Sequence, residues 1–217
     1  MKKMDIIYED KELLVVNKPA KELTIATNKQ ELNTLYHEAR EYVKKQNPKN
    51  KIFIVHRLDK DTSGVVLFAK NEKLKKLLQD NWINYYREYI AIVDGVVTSS
   101  GTIKSYLKES KTLEVYSTND SKNGKLAITN YEPIINNRNY SMLKVVIETG
   151  RKNQIRVQLS DIKHPIIGDK KYHSKNNPIN RLGLHANILK IVHPITKKNM
   201  EFVAKTPILF NNMFKDN

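Results

Sequence analysis

Two stretches of this sequence concentrate side chains able to do chemistry. The first is Ile54-Val55-His56-Arg57-Leu58-Asp59-Lys60-Asp61-Thr62-Ser63-Gly64, a polar segment between apolar runs. Arg57, Asp59 and Asp61 stand two apart, so an extended run would hold their charges on one face. That pattern fits a charged reaction, and it also fits a cluster of turn-capping side chains. The second stretch is Thr149-Gly150-Arg151-Lys152-Asn153-Gln154-Ile155-Arg156, with Arg181 and His185 following later. An arginine beside a carboxylate favours its ionised form, which a nucleophile or an electrostatic stabiliser needs. The alternative is a structural ion pair.

Other chemistries find less support. The six histidines are scattered without an HExxH pattern, and Asp59 with Asp61 lacks further clustered acids, so no metal site is expected. There is no cysteine, hence no disulfide and no thiolate ligand. Ser63 has no histidine at a nucleophile elbow, and no P-loop or GxGxxG is present to hold a nucleotide cofactor.

The formal charge is +15, from 38 Lys and Arg against 23 Asp and Glu. Such an excess favours a polyanionic partner, because each neutralised phosphate releases counterions on binding. Nucleic acid leads, with an anionic membrane surface second. The amino terminus turns acidic and polar after Lys3 instead of running into an apolar region, and nowhere do 18 apolar residues stand together. The expectation is a soluble, cytoplasmic protein with no membrane span.

The elements that must position these stretches are legible from periodicity. Ile6–Tyr8 and Leu13–Asn17 read as short strands around a polar turn, with Pro19 stopping the second. Residues 34–46 have helical spacing at Leu35, Ala39, Tyr42 and Val43, and Pro48 follows. Asn71 can cap a helix whose apolar face is Leu74, Leu77, Leu78 and Trp82. From residue 87 the period shifts towards two, giving strands over 88–93, 102–107 and 113–116. A hairpin follows, over 126–131 and 142–147, turning at 136–139. Gly150–Ile162 reads as a loop feeding a short helix, with Arg156 projecting from its first turn. Residues 182–192 and 200–204 are strands, and 207–214 is amphipathic. Strand-rich stretches interrupted by separate helices predict an α+β fold in a single domain over 1–217.

His56-Arg57-Leu58-Asp59-Lys60-Asp61-Thr62-Ser63-Gly64 closely resembles the HRLDxxTSG signature of the RluA-type family of RNA pseudouridine synthases. The likeness continues in order along the chain. Asn17-Lys18-Pro19-Ala20 is similar to the family's NKPAG segment and Arg87-Glu88-Tyr89-Ile90-Ala91 to its KxYxA strand. Gly124–Thr129, Thr149–Leu159, His164–Tyr172 and Arg181–Ala186 complete it. Two positions depart from the pattern: Lys21 stands where a glycine is expected after Lys-Pro-Ala, and Asn153 where a histidine usually precedes Gln-Ile-Arg. The first bears on the shape of an entrance loop, the second on a supporting hydrogen bond.

The resemblance implies a pseudouridine synthase catalytic fold, a mixed but mainly antiparallel sheet with flanking helices and loops around a central RNA-binding cleft. It implies an isomerase that detaches uracil from ribose at nitrogen 1, rotates it, and reattaches it at carbon 5, with no cofactor. Asp59 would be the catalytic carboxylate, Arg156 its ionic partner, and Tyr89 the ring that stacks on the base and helps remove the proton from carbon 5. Arg57, which can fill the gap left by a flipped uridine, His56, Thr62, Arg151 and Gln154 form the implied substrate-binding set. Ribosomal RNA and tRNA are both candidate partners, for a monomer without a separate amino-terminal RNA-binding module. Recognition would fall to loops such as 18–34 and 169–181. Two rivals are a non-catalytic RNA-binding protein on the same scaffold and a metal-dependent nuclease.

Overall fold

The computed structural model describes residues 4–26 and 33–215. Contacts gather the chain into two units, each built from separated segments: Met1–Tyr85 with Ala186–Lys205, and Tyr86–His185 with Thr206–Asn217. The architecture is α+β, with mostly antiparallel strands and few helices.

In the first unit, β1 (Ile6–Glu9) and β2 (Leu13–Lys18) form a hairpin. Its turn is held by Asp10, whose Oδ1 accepts from the backbone N–H of Glu12 at 2.8 Å and of Leu13 at 2.6 Å. Leu13, Leu14, Val15 and Val16 are all fully buried, as an unbroken apolar run implies for a strand covered on both faces. β2 pairs antiparallel with β4 (Ser63–Ala69), from Leu13 opposite Ala69 to Lys18 opposite Gly64. The two-residue β3 (Phe53–Ile54) pairs with the far end of β4. β10 (Leu184–Val192), which belongs to this unit from Ala186 onward, carries β11 (Asn199–Val203) as its antiparallel partner.

Helices α1 (Leu35–Gln46) and α2 (Glu72–Asp80) start at Thr34 and Asn71, whose side chains accept from the N–H of His37 and Leu74. These are ordinary N-caps. Leu74 and Leu78 of α2 close the core over Leu13, Val15, Val65 and Leu67. The expected apolar face of α2 is narrower than predicted: Leu77 is 38% exposed, and Trp82 lies beyond the helix in a 3-10 turn.

The second unit holds five antiparallel strands, β5 (Tyr86–Asp94), β6 (Gly101–Glu109), β7 (Val115–Thr118), β8 (Lys125–Asn136) and β9 (Tyr140–Ile147), in the order β5-β9-β8-β6-β7. Ala91, Val93, Leu143 and Val145 of this sheet pack with Ile155 and Leu159 of α3 (Gln154–Asp161). Helix α3 ends in a Schellman motif: Lys163 N–H donates to Ser160 O and His164 N–H to Leu159 O, both at 2.9 Å, with Lys163 in the left-handed region. The short α4 (Ile208–Asn212) buries Phe210 and leaves Ile208 and Leu209 exposed, so the carboxy-terminal segment is only partly amphipathic. No helix of the described residues is long and apolar enough to cross a membrane.

Candidate active site

In the first unit the site is built around the loop from Val55 to Thr62, between β3 and β4. Val55 and Leu58 are buried and fasten the loop to the core, while Arg57, Lys60 and Asp61 are exposed and Asp59 is half-buried. The loop turns directly after Asp59, at Lys60 and Asp61. Thr62 N–H donates to Asp59 O at 3.2 Å, closing a turn over 59–62. Of the two readings of these charges, an extended run and a turn cluster, the turn is the one the loop adopts after Asp59, and a turn rotates successive side chains away from strand alternation.

Both neighbours of Asp59 are tied down. Leu58 N–H donates to Thr24 Oγ1 at 3.2 Å, and that hydroxyl donates to Leu58 O at 2.8 Å. On the other side, Lys60 O accepts from Lys18 Nζ at 3.0 Å. Lys18 is fully buried, which is rare for lysine unless its ammonium is satisfied. Here Nζ also donates to Pro19 O at 2.9 Å and Glu22 O at 2.7 Å, so three carbonyls receive its three donors. The segment after β2 and the Asp59 loop are thus cross-linked by one ammonium and one hydroxyl. Lys21, where a glycine was expected, adopts φ 68, a left-handed conformation that glycine takes more readily.

His56 is fixed on the protein side. Its Nε2 accepts from Leu67 N–H at 3.0 Å, supplying a partner on β4 just beyond the short β3 ladder, and its ring stacks on Trp82 at 4.3 Å. Thr62 is 2% exposed, and Gly64 has φ 117 with no room for a Cβ against the Ala186 backbone.

In the second unit Tyr89 lies on β5 opposite Val145 of β9 and is half-buried. Two residues before it, Arg87 is 5% exposed and donates from Nη2 to Glu148 O at 2.8 Å. Burial pulls the Arg87 pKa down, and the neighbouring Tyr89 partly opposes this.

The Thr149–Arg156 stretch folds about its own side chains. Gln154 Oε1 accepts from Thr149 Oγ1 at 2.8 Å and from Arg151 N–H at 3.0 Å, while Nε2 donates to Ile128 O and Thr129 Oγ1. These bonds make Gln154, 3% exposed, a clamp between the head of α3 and β8. Arg151 is exposed and reaches Leu126 O through Nε at 3.0 Å. Asn153 precedes the helix at φ 54, a conformation asparagine tolerates better than most residues.

Arg156 has a buried acid in its own unit. Its Nε and Nη2 donate to the two oxygens of Asp169 at 2.7 and 2.8 Å, and its Nη1 donates to Asn153 Oδ1 at 3.1 Å. The guanidinium carbon sits 5.0 Å from the Tyr172 ring centre, and Tyr172 OH accepts from Asn153 Nδ2 at 2.9 Å. Tyr172 is held protonated: burial raises its pKa, which the Asn153 bond and the Arg156 charge only partly offset. The departure at Asn153 thus leaves a working hydrogen bond, made by an amide.

Asp59 belongs to the first unit and Tyr89, Arg151, Gln154 and Arg156 to the second. Sequence reasoning passed over Lys18, Thr24, Asp169 and Tyr172. Signals existed for three of them: Lys18 closes a strand whose first four residues are apolar, and Asp169 and Tyr172 lie in the block His164–Tyr172. Of the loops expected to recognise RNA, residues 27–32 lie outside the described residues.

Asp10, Glu12 and His193 bring potential ligand atoms together. His193 Nδ1 accepts from the N–H groups of Ile195 and Thr196, and Asp10 Oδ1 from those of Glu12 and Leu13, so these lone pairs already hold two turns.

A family model described as RNA pseudouridylate synthase matches residues 12–161. The chain is 35% identical to ribosomal large subunit pseudouridine synthase D of Haemophilus influenzae, over 94% of this chain and 68% of that one. It is 33% identical to the uncharacterized RNA pseudouridine synthase YhcT of Bacillus subtilis, over 97% and 71%. Among solved structures, human RNA pseudouridylate synthase domain containing 4 has a similar fold, with TM-score 0.79 at 23% identity, covering 95% of this chain and 90% of that one.

Proposed function

The chain belongs to the RNA pseudouridylate synthase family, isomerases that act on RNA, and from that premise we propose that Asp59 is its catalytic carboxylate and specific uridines of ribosomal RNA or tRNA its substrates. In the overall change the bond from ribose carbon 1 to nitrogen 1 breaks and one to carbon 5 forms. A hydrogen leaves carbon 5 and one is gained at nitrogen 1, so atoms and electrons balance and no cofactor is invoked. Attack on ribose carbon 1 and assistance of glycal formation both require an ionised carboxylate.

The observation that carries this reading is the anchoring of Asp59 on both sides, through Thr24 to Leu58 and through Lys18 to Lys60. A half-buried carboxylate on a loop fixed at both neighbours is preorganised for a reaction at one place. Arg156, by the family resemblance, is the guanidinium that partners the catalytic carboxylate. Tyr89 stacks on the base and assists proton loss from carbon 5. Arg57, exposed next to the loop turn, fills the place of the extruded uridine. His56, Thr62 and Gln154 serve the substrate by fixing backbone, and Arg151 by contacting phosphate.

The formal charge of +15 supports a polyanionic substrate. We read residues 1–217 as one catalytic domain, since neither unit is a continuous piece of chain. It is expected to act in the cytoplasm as a monomer. Chemical mapping of pseudouridine in ribosomal RNA and tRNA from cells lacking the protein tests the proposal. A missing site restored by the wild type and not by Asp59→Asn is the expected result, and restoration by both sinks it.

A further inference from the structure

We infer that Asp169, together with Asn153, is a positioning residue that sets the plane and direction of the Arg156 guanidinium for catalysis. The inference rests on the proposed role of Arg156.

A guanidinium carries five N–H donors in a rigid plane, so fixing two edges of that plane fixes the remainder. Asp169 takes the edge formed by Nε and Nη2, with one carboxylate oxygen to each nitrogen. Asn153 Oδ1 takes an Nη1 hydrogen. The Nη hydrogens that Asp169 and Asn153 do not take are then held in a fixed plane and direction. Tyr172 covers one face of the plane at 5.0 Å, and its hydroxyl receives the other end of the Asn153 amide.

The supports of this cradle are themselves fixed. Asp169 leads a 3-10 turn, Lys170–Tyr172. Its N–H donates to Ile166 O, and its carbonyl accepts from the N–H groups of Tyr172 and Ser174, all at 3.1 Å. Its side chain is 1% exposed, against 13% for Arg156. A fully desolvated carboxylate is costly unless charge-paired, and Arg156 provides the charge. Asn153 holds its amide in place at the expense of a left-handed backbone, φ 54, at the mouth of α3. Backbone in a sparsely populated region persists where its surroundings over-determine it. A network needed only to pin α3 to the 169–172 turn has no requirement for a two-oxygen grip plus a third bond on one guanidinium.

The test measures tritium release from uridine labelled at carbon 5, using full-length protein and bulk RNA prepared from cells lacking it. Asp169→Asn keeps shape and removes charge. It is expected to lower kcat by about tenfold to a hundredfold, the scale of a misplaced catalytic group, with half-saturation by RNA within about twofold. Asn153→Gly, which accepts the left-handed backbone, is expected to lower kcat by about threefold to tenfold at unchanged half-saturation, since it removes one of the three guanidinium bonds. Asp169→Ala is expected to regain activity in added formate, which can occupy the vacated carboxylate position, whereas Asp59→Asn is not.

Wild-type kcat in Asp169→Asn, with Arg156→Lys inactive, overturns the inference and leaves the role of Arg156 standing. Wild-type kcat in Arg156→Lys overturns the reading of Arg156 itself. Should Asp169 variants not fold, Asn153→Gly decides: unchanged kcat overturns the inference.

Discussion

The ammonium of Lys18 lies 3.0 Å from the carbonyl oxygen of Lys60, the residue next to Asp59. A fully buried cation therefore holds the backbone of the proposed catalytic loop through a main-chain carbonyl. Its hold is geometric, on a carbonyl fixed relative to the Asp59 Cα.

Lys18→Met keeps the length of the stem and leaves three carbonyls without the donor they now share. Each unsatisfied buried acceptor costs about 1–3 kcal/mol, so a loss of at least ~2 kcal/mol is expected after relaxation. Urea denaturation measures this, and tritium release should fall further than the unfolded fraction explains. A Lys18→Met protein with wild-type kcat would remove Lys18 from any positioning role.

Arg156→Ala leaves the Asp169 carboxylate, 1% exposed, without its buried cation. Breaking a buried pair from one side costs ~3 kcal/mol or more, so folding and activity should fall together. Asp59 is only half-buried, and Asp59→Asn should retain the melting temperature and RNA binding while abolishing turnover. Measurable pseudouridine formation by Asp59→Asn would falsify the assignment of the catalytic carboxylate.

Lys21→Gly relieves a left-handed backbone, φ 68, at a cost of greater chain entropy on unfolding. The steric term of about 1–2 kcal/mol exceeds the glycine entropy term of about 0.5–1 kcal/mol, so stability should rise by up to ~1 kcal/mol. Thermal or urea unfolding decides the sign. A lower stability would mean that the Lys21 side chain contributes contacts beyond its backbone cost.

Asp10 ties stability to acid pH. Burial is the largest influence on its carboxyl and pushes the pKa up, but the Tyr8 hydroxyl, the N–H groups of Leu13 and Glu12, and the His193 charge together bring it below the ordinary value. A folded-state pKa below the unfolded one gives stability that is fully present above the unfolded carboxylate value of about 4 and lost as pH falls through the folded value. Asp10→Asn should therefore destabilise the protein at pH 7 and converge on the wild type as pH drops below 4. Equal stability gaps at pH 7 and below that point would contradict it.

Local sequence carried the elements whose partners are close along the chain. The helix over 35–46, the cap at Asn71, the β8–β9 hairpin turning near Asn137, and the short helix behind Gly150 all stand where periodicity and turn chemistry predict them. Periodicity failed where helices end. Leu77 and Ile208 follow apolar spacing yet face outward, because α2 and α4 are too short to bury every apolar position on a face. Alternation could not decide between an extended run and a turn at the Asp59 loop, since a turn obeys no period of two.

The motif residues alone determined the family and the identity of the candidate carboxylate, because reaction chemistry constrains side-chain type and those types are visible in one dimension. Only the tertiary structure decided what holds them. Lys18 meets Lys60 from 42 residues away and Thr24 meets Leu58 from 34, and in both cases the acceptor is a main-chain carbonyl. Every residue carries that group, so no sequence pattern marks which one is chosen. Asp169 likewise lay in a family-like block with nothing to mark its partner until folding placed it, 13 residues on, against both edge nitrogens of Arg156. Side-chain chemistry is written in the sequence, whereas the choice of a backbone acceptor or a counter-ion is made by packing.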